Sequence, residues 1–160
     1  NAGLKEEEYM TVNEAVHCLV DIVSKNGNLL LNVGPMADGT IPQVQRERLL
    51  GLGQWLEING EAIFDTRPWV TAEGSTAEGM ALRFTQNGDS VYAILLGTPK
   101  GNRVTIERLR ADESSTVRLL GHLSPLTWKQ EGKDLVVILP DELPESPSQA
   151  LKITPKPRTV

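Results

Sequence analysis

Asn28-Leu29-Leu30-Leu31-Asn32-Val33, closed by Gly34-Pro35, is the stretch on which the fold turns. It is short, nearly all apolar and bounded by glycines. A strand buried on both faces reads this way, and such strands belong to parallel sheets covered by helices. The flanking residues fit. Upstream, Thr11 and Glu14 stand at capping-box spacing, and Val12, Ala15, Val16, Leu19, Val20 and Val23 follow at steps of three and four. One apolar stripe over about three helical turns results. Lys25-Asn26-Gly27 ends that helix with a late cation and a residue suited to positive φ. Downstream, Asp38-Gly39 makes a turn, and Thr40 with Pro42 and Gln43 behind it opens a second helix by the same capping logic. Leu49, Leu52, Trp55 and Leu56 form its buried face, and Asn59-Gly60 closes it.

Helix, strand, helix is one piece of an α/β fold, and it is incomplete. A buried parallel strand needs hydrogen-bonded neighbours on both edges, and residues 1–68 offer none. Each unsatisfied backbone group costs roughly 1–3 kcal/mol in an apolar setting, so the missing sheet must come from elsewhere. The chain begins at Asn1 without an initiator Met or a basic-then-apolar leader. The expectation is a C-terminal piece of a larger protein.

From about Trp69 the pattern changes. Gly79–Thr85, Asn87-Gly88 and Ser90–Leu96 read as a hairpin with a tight turn. Further apolar runs follow at Arg103–Leu109, Thr116–Leu120, Leu126–Gln130, Leu135–Leu139 and Ala150–Ile153. With no helix signal among them, they predict a small antiparallel β-sandwich. Pro140–Pro147 reads as a loop before the closing strand. The fold class is therefore α/β plus all-β, with the boundary between residues 68 and 69.

Composition narrows the function. Of 160 residues, 39% are hydrophobic and 23% charged, which is a globular balance. The net charge of -5 argues against a nucleic-acid partner, and no apolar run is long enough to cross a bilayer. Residues 1–68 hold 5 Lys/Arg against 10 Asp/Glu, whereas residues 69–160 hold 11 against 11. The single Cys18 excludes an internal disulfide, and His17 and His122 lie in no ligand-spaced motif, so no metal site is expected.

Individual motifs are weak. Gly34–Thr40 lacks the Lys of a phosphate-binding loop, and a turn with a helix cap is the simpler reading. Gly51-Leu52-Gly53 lacks the third Gly of a dinucleotide fingerprint and suits close helix packing. Asp38 follows the buried strand, the side where α/β proteins place their sites, yet reads better as a turn former. Asn32 either points its amide into a pocket or satisfies a neighbouring loop, and both stay open. Glu57, Glu61 and Asp65 fall on an exposed face, while Trp55 and Trp69 read as packing.

Two stretches together are more specific. Ser24-Lys25-Asn26-Gly27-Asn28-Leu29-Leu30-Leu31-Asn32-Val33-Gly34-Pro35, followed by Asp38-Gly39-Thr40-Ile41-Pro42, closely resembles α-L-fucosidases of glycoside hydrolase family twenty-nine. Gln45–Leu50, Trp55-Leu56, Asn59–Ile63 and Arg67-Pro68-Trp69 continue the match in order. The resemblance implies that residues 1–68 are the end of a catalytic (β/α)8-like barrel and residues 69–160 its C-terminal β-sandwich. It implies hydrolysis of α-linked L-fucose with retention, by a carboxylate nucleophile and a carboxylic acid/base upstream of Asn1. No catalytic residue is then carried by this chain, and Asn32 is the candidate for lining the substrate site. No cofactor or metal is implied. The partners implied are fucosylated glycans, met by the complete enzyme, and the rest of the barrel. Neither nucleic acid nor membrane is expected, and association into a homo-oligomer is open. The absence of Asn-x-Ser/Thr leans towards a bacterial, periplasmic or extracellular origin. The alternative is a non-catalytic β-sandwich that binds carbohydrate or gives structural support, with Trp69, Tyr92 and Trp128 as its stacking candidates.

Overall fold

The computed structural model describes residues 8–160. The acidic start of the chain, at Glu6 and Glu7, lies outside the described residues. Helix α1 spans Val12–Ser24 and is opened by the expected capping box. Thr11 Oγ1 accepts from Glu14 N at 3.2 Å, and Glu14 Oε2 accepts from Thr11 N at 2.7 Å. This fixes two of the N–H groups that a helix start leaves without partners, and it holds the Glu14 carboxyl below its ordinary pKa. Asn26 takes the left-handed conformation at φ 66°, and Gly27 N returns to the Ile22 carbonyl at 2.9 Å. The stripe is buried as its spacing demands, with Val16 and Val20 wholly inside.

The second helix starts later than its sequence suggests. Helix α2 runs Gln43–Asn59 from Pro42, and no side chain caps it. Thr40 instead donates through its N–H and its hydroxyl to Asp38 Oδ1, at 3.0 and 2.7 Å. The Asp38-Gly39 turn thus consumes the residue read as the cap, and Gly39 sits at φ +84°. Gly51 does the packing work expected of it. A Cβ there would lie 2.6 Å from Val12 Cγ2, so a larger residue would force Val12 or the helices to shift, whereas Gly53 faces open space.

Between the helices, Asn28–Val33 forms no strand. Both helices are in place, and the segment between them finds no strand partner among the described residues, as expected of a strand whose sheet neighbours lie elsewhere. The reason is the one the sequence already contained, since no neighbouring strand is offered and a strand is defined by its ladder. Leu30 is 85% exposed as a result.

The rest is antiparallel β. Strands β1 (Arg67–Ser75), β2 (Ala81–Asn87), β3 (Ser90–Leu95), β4 (Arg103–Ile106), β6 (Thr116–Leu119), β7 (Pro125–Glu131), β8 (Asp134–Ile138) and β9 (Gln149–Thr154) form one sheet. Its order is β1-β2-β3-β9-β6-β7-β8-β4. A short pair, β5 (Leu109–Arg110) with β10 (Arg158–Thr159), stands apart. The two layers of the expected sandwich belong to this single sheet, which curls until its first and last strands meet. Thr76 bridges Ile106, Ala77 N reaches the Thr105 carbonyl at 2.9 Å, and Glu107 N reaches the Ser75 carbonyl at 3.1 Å. Closing the edges satisfies backbone groups that would otherwise invite aggregation. The hairpin's turn centres on Gly88-Asp89, with Asn87 facing Ser90. Strand β1 escapes the periodicity because it carries Pro68 and a register break between Pro68 and Glu73, both features of edge strands.

Strand β3 is the keystone, buried along its whole length. Val91, Ala93 and Leu95 point into the core enclosed by the curled sheet, with Phe84, Leu119, Leu151 and Ile153. Tyr92 and Ile94 point outward, against Val16 and Val20 of α1, Trp55 of α2, and Ala62 and Ile63. The helical layer therefore packs directly on the sheet's outer face.

Candidate functional site

The segment Leu31–Gly34, the first turns of α2, Ala15 of α1 and residues 8–10 line an open concavity of about 380 Å³. Tyr9, Asn32, Gly34, Gln45, Arg48 and Leu49 are on its wall. The two amides can each donate and accept, Arg48 only donates, and the Tyr9 phenol does both. Met10, Ala15, Leu31, Val33 and Leu49 supply the apolar remainder. A mainly apolar concavity with a few convergent polar groups is the ordinary form of a small-molecule site.

Asn32, the residue singled out from sequence, lies on this wall. Gln45 was not foreseen, and its Oε1 accepts from Gly34 N at 2.8 Å. Asp38 stays in its turn, where the two bonds from Thr40 lower its pKa. His17 Nε2 donates to the Pro147 carbonyl at 2.7 Å, which makes it a clip between α1 and the loop before β9. His122 sits in the turn after β6, its backbone N bonded to the Leu119 carbonyl. Cys18 is half-buried on α1. Among the described residues, no group of three His, Cys, Asp or Glu is placed to hold a metal ion. No described helix is long and apolar enough to cross a membrane.

The aromatic stacking candidates are turned to packing. Trp69 is 9% exposed and meets Phe84 at 5.1 Å between ring centroids. Tyr92 is buried, and its hydroxyl donates to Glu61 at 2.8 Å. Trp128 donates through its indole N–H to the Ser115 carbonyl at 3.0 Å.

Charged groups gather where the helical layer meets the sheet. Asp21 on α1 binds Lys25 at 2.8 Å and Arg83 of β2 at 2.6 Å, and both lower its pKa. Lys25 also reaches Glu73 of β1 at 2.7 Å. Glu61, after α2, pairs with Lys152 of β9, which with the Tyr92 bond draws its carboxyl below the ordinary range. Burial and the Glu61 carboxylate push the Tyr92 phenol up. The exposed-face reading of Glu61 was right about solvent and silent about partners, because Tyr92 and Lys152 are far away in sequence.

The family model described as "Alpha-L-fucosidase" matches residues 3–61, and the one described as "Alpha-L-fucosidase C-terminal domain" matches residues 77–154. The chain is similar to the alpha-L-fucosidase of Branchiostoma floridae, 39% identical over 134 residues, covering 83% of this chain and 29% of that protein. It is similar to the plasma alpha-L-fucosidase of Homo sapiens, 39% identical over 141 residues, covering 87% and 30%. Among solved structures, Thermotoga maritima alpha-fucosidase in complex with fucose superposes with a TM-score of 0.88 at 40% identity, covering 96% of this chain and 37% of that one. Alpha-L-fucosidase isoenzyme 1 from Paenibacillus thiaminolyticus gives 0.76 at 30% identity, covering 93% and 35%. The chain spans about three-tenths of the length of these curated relatives. With both of its halves matched in order and its fold shared, the chain belongs to the α-L-fucosidase family.

Proposed function

We propose that these residues form the C-terminal part of a retaining α-L-fucosidase that removes terminal α-linked L-fucose from glycoconjugates. Residues 1–68 are the end of the catalytic (β/α)8-like barrel, and residues 69–160 are the β domain that buttresses it. The observation that carries this reading is the pair of family matches, 3–61 and then 77–154, the second to a domain described as C-terminal. In a retaining enzyme two carboxyl groups stand about 5–5.5 Å apart, one attacking the anomeric carbon and the other protonating the leaving oxygen. Both come from upstream barrel strands. This chain contributes scaffold and, through Asn32 on the cavity wall, a hydrogen-bonding amide at the edge of the sugar site.

The full-length polypeptide is expected to release 4-nitrophenol from its α-L-fucoside with retention, followed by NMR of the freed sugar. The 160-residue chain alone is expected to release none. Activity of the short chain, or inactivity of the long one, overturns the reading. The β domain is read as support and not as a glycan-binding module. The burial of Trp69 and Tyr92 favours this, since a stacking platform needs an open ring face.

A further inference from the structure

We infer that Gln45 is a positioning residue for the loop that follows Asn32, and so for the sugar site itself; this rests on the reading just given. With Pro42 as its N-cap, Gln45 is the third residue of helix α2. A Gln in that place ordinarily reaches back to the N–H of the capping residue. Pro42 has no N–H to give. The Gln45 side chain turns instead across the cavity wall, where Oε1 accepts from Gly34 N at 2.8 Å.

Gly34 is the place where such a bond has leverage. Pro35 after it carries no donor, so Gly34 N–H is the last backbone donor before the turn that can be pinned from outside. The turn beyond it is closed on itself. Met36 N reaches the Thr40 carbonyl at 2.7 Å, Gly39 N reaches the Met36 carbonyl at 2.9 Å, and Thr40 is held by Asp38. These bonds shape the loop but do not fix where it sits. The Gln45 bond ties it to a helix whose far end is held by Trp55, which packs on the sheet's outer face and whose indole N–H donates to the carbonyl of Ser148, just before β9, at 3.0 Å. Asn32 is two residues before the pinned amide, on the same wall. Releasing Gly34 therefore loosens the residue that faces the substrate.

Two variants of the full-length enzyme separate this from a merely structural role. Gln45→Leu keeps size and helix propensity but removes the acceptor. Gln45→Glu keeps an acceptor at the same reach, strengthened by charge. The expected result is a fall of about ten-fold in kcat/KM for Gln45→Leu, the scale of one lost hydrogen bond, with near-normal values for Gln45→Glu. Amide exchange at Gly34 should quicken in the Leu variant alone, with the melting temperature little changed. Unchanged kinetics and exchange in Gln45→Leu would overturn the inference, as would equal losses in both variants or losses that follow the melting temperature. If the wild type lacks fucosidase activity, the functional reading fails. Exchange at Gly34 then decides the anchoring by itself, protection lost only in Gln45→Leu upholding it and unaltered protection refuting it.

Discussion

The segment Asn28–Val33 and strand β3 are built from similar residues and meet opposite fates. Each is a short apolar run of six residues. β3 has β2 on one side and β9 on the other, and it is buried on both faces. Asn28–Val33 has no ladder, and Leu30 stands 85% exposed. Apolar character alone therefore does not make a strand. The backbone must find partners, and the difference between the two runs is whether they are within reach.

The helical layer packs on β3, and the largest effect should show whether the sheet stands without it. Trp55→Ala removes a side chain that is 4% exposed and seats α2 on the outer face of the sheet. A loss of roughly 3–5 kcal/mol is expected from such a truncation. Hydrogen exchange should find α1 and α2 unprotected while β3 and β9 keep their protection. Equal loss in both layers would mean that they share one cooperative core, and the contrast would have to be abandoned.

Acid should act on the same seam more weakly. The Lys25 and Arg83 bonds to Asp21, and the Lys152 bond to Glu61, depress both carboxyl pKa values in the folded chain. The unfolded chain then binds protons first as pH falls. The stabilisation is complete above the ordinary values of 3.8 and 4.5 and is withdrawn below them. Because both groups are partly exposed, a drop of only a few degrees in melting temperature is expected between pH 6 and pH 3 beyond that of Asp21→Asn. A wild-type curve parallel to that of the variant would remove Asp21 from the seam.

The smallest effect is expected at Leu30. Leu30→Asn should change the stability of the 160-residue chain by less than about 0.5 kcal/mol, since the leucine is already in water. In the full-length protein, where the segment is proposed to gain barrel neighbours, the same change should cost about 2 kcal/mol or more. Denaturant melts of both lengths decide it, and equal small effects would leave Asn28–Val33 without its proposed partners.

Much of this was legible in the residues. The Thr11–Glu14 box, the Val16–Val20 stripe and the Asp38-Gly39 turn are local devices whose partners lie within four positions, so spacing reveals them. The Asn87–Ser90 hairpin is equally local. Asn32 could be named as a wall residue because it sits at the end of the apolar run. Gln45 could not. Its role needs Pro42 to be the cap, and Thr40 looked the better one until Asp38 claimed it. Strand β1 was hidden by its own edge features, and the closure of the sheet through Thr76 and Ile106 joins residues thirty positions apart, which no periodicity records.

The residues alone settle the helices, the β-rich second half, the family, and the lack of sheet neighbours for Asn28–Val33 within this chain. Each is set by short-range spacing or by a motif. Tertiary structure alone decided that the sheet is one curled surface and that the helices seat on its outer face through Trp55 and Tyr92. It also decided that Glu61, Asp21 and Gln45 find their partners across the chain. Those outcomes depend on which distant groups are brought within hydrogen-bond reach, and that distance is a property of the fold and not of the spacing.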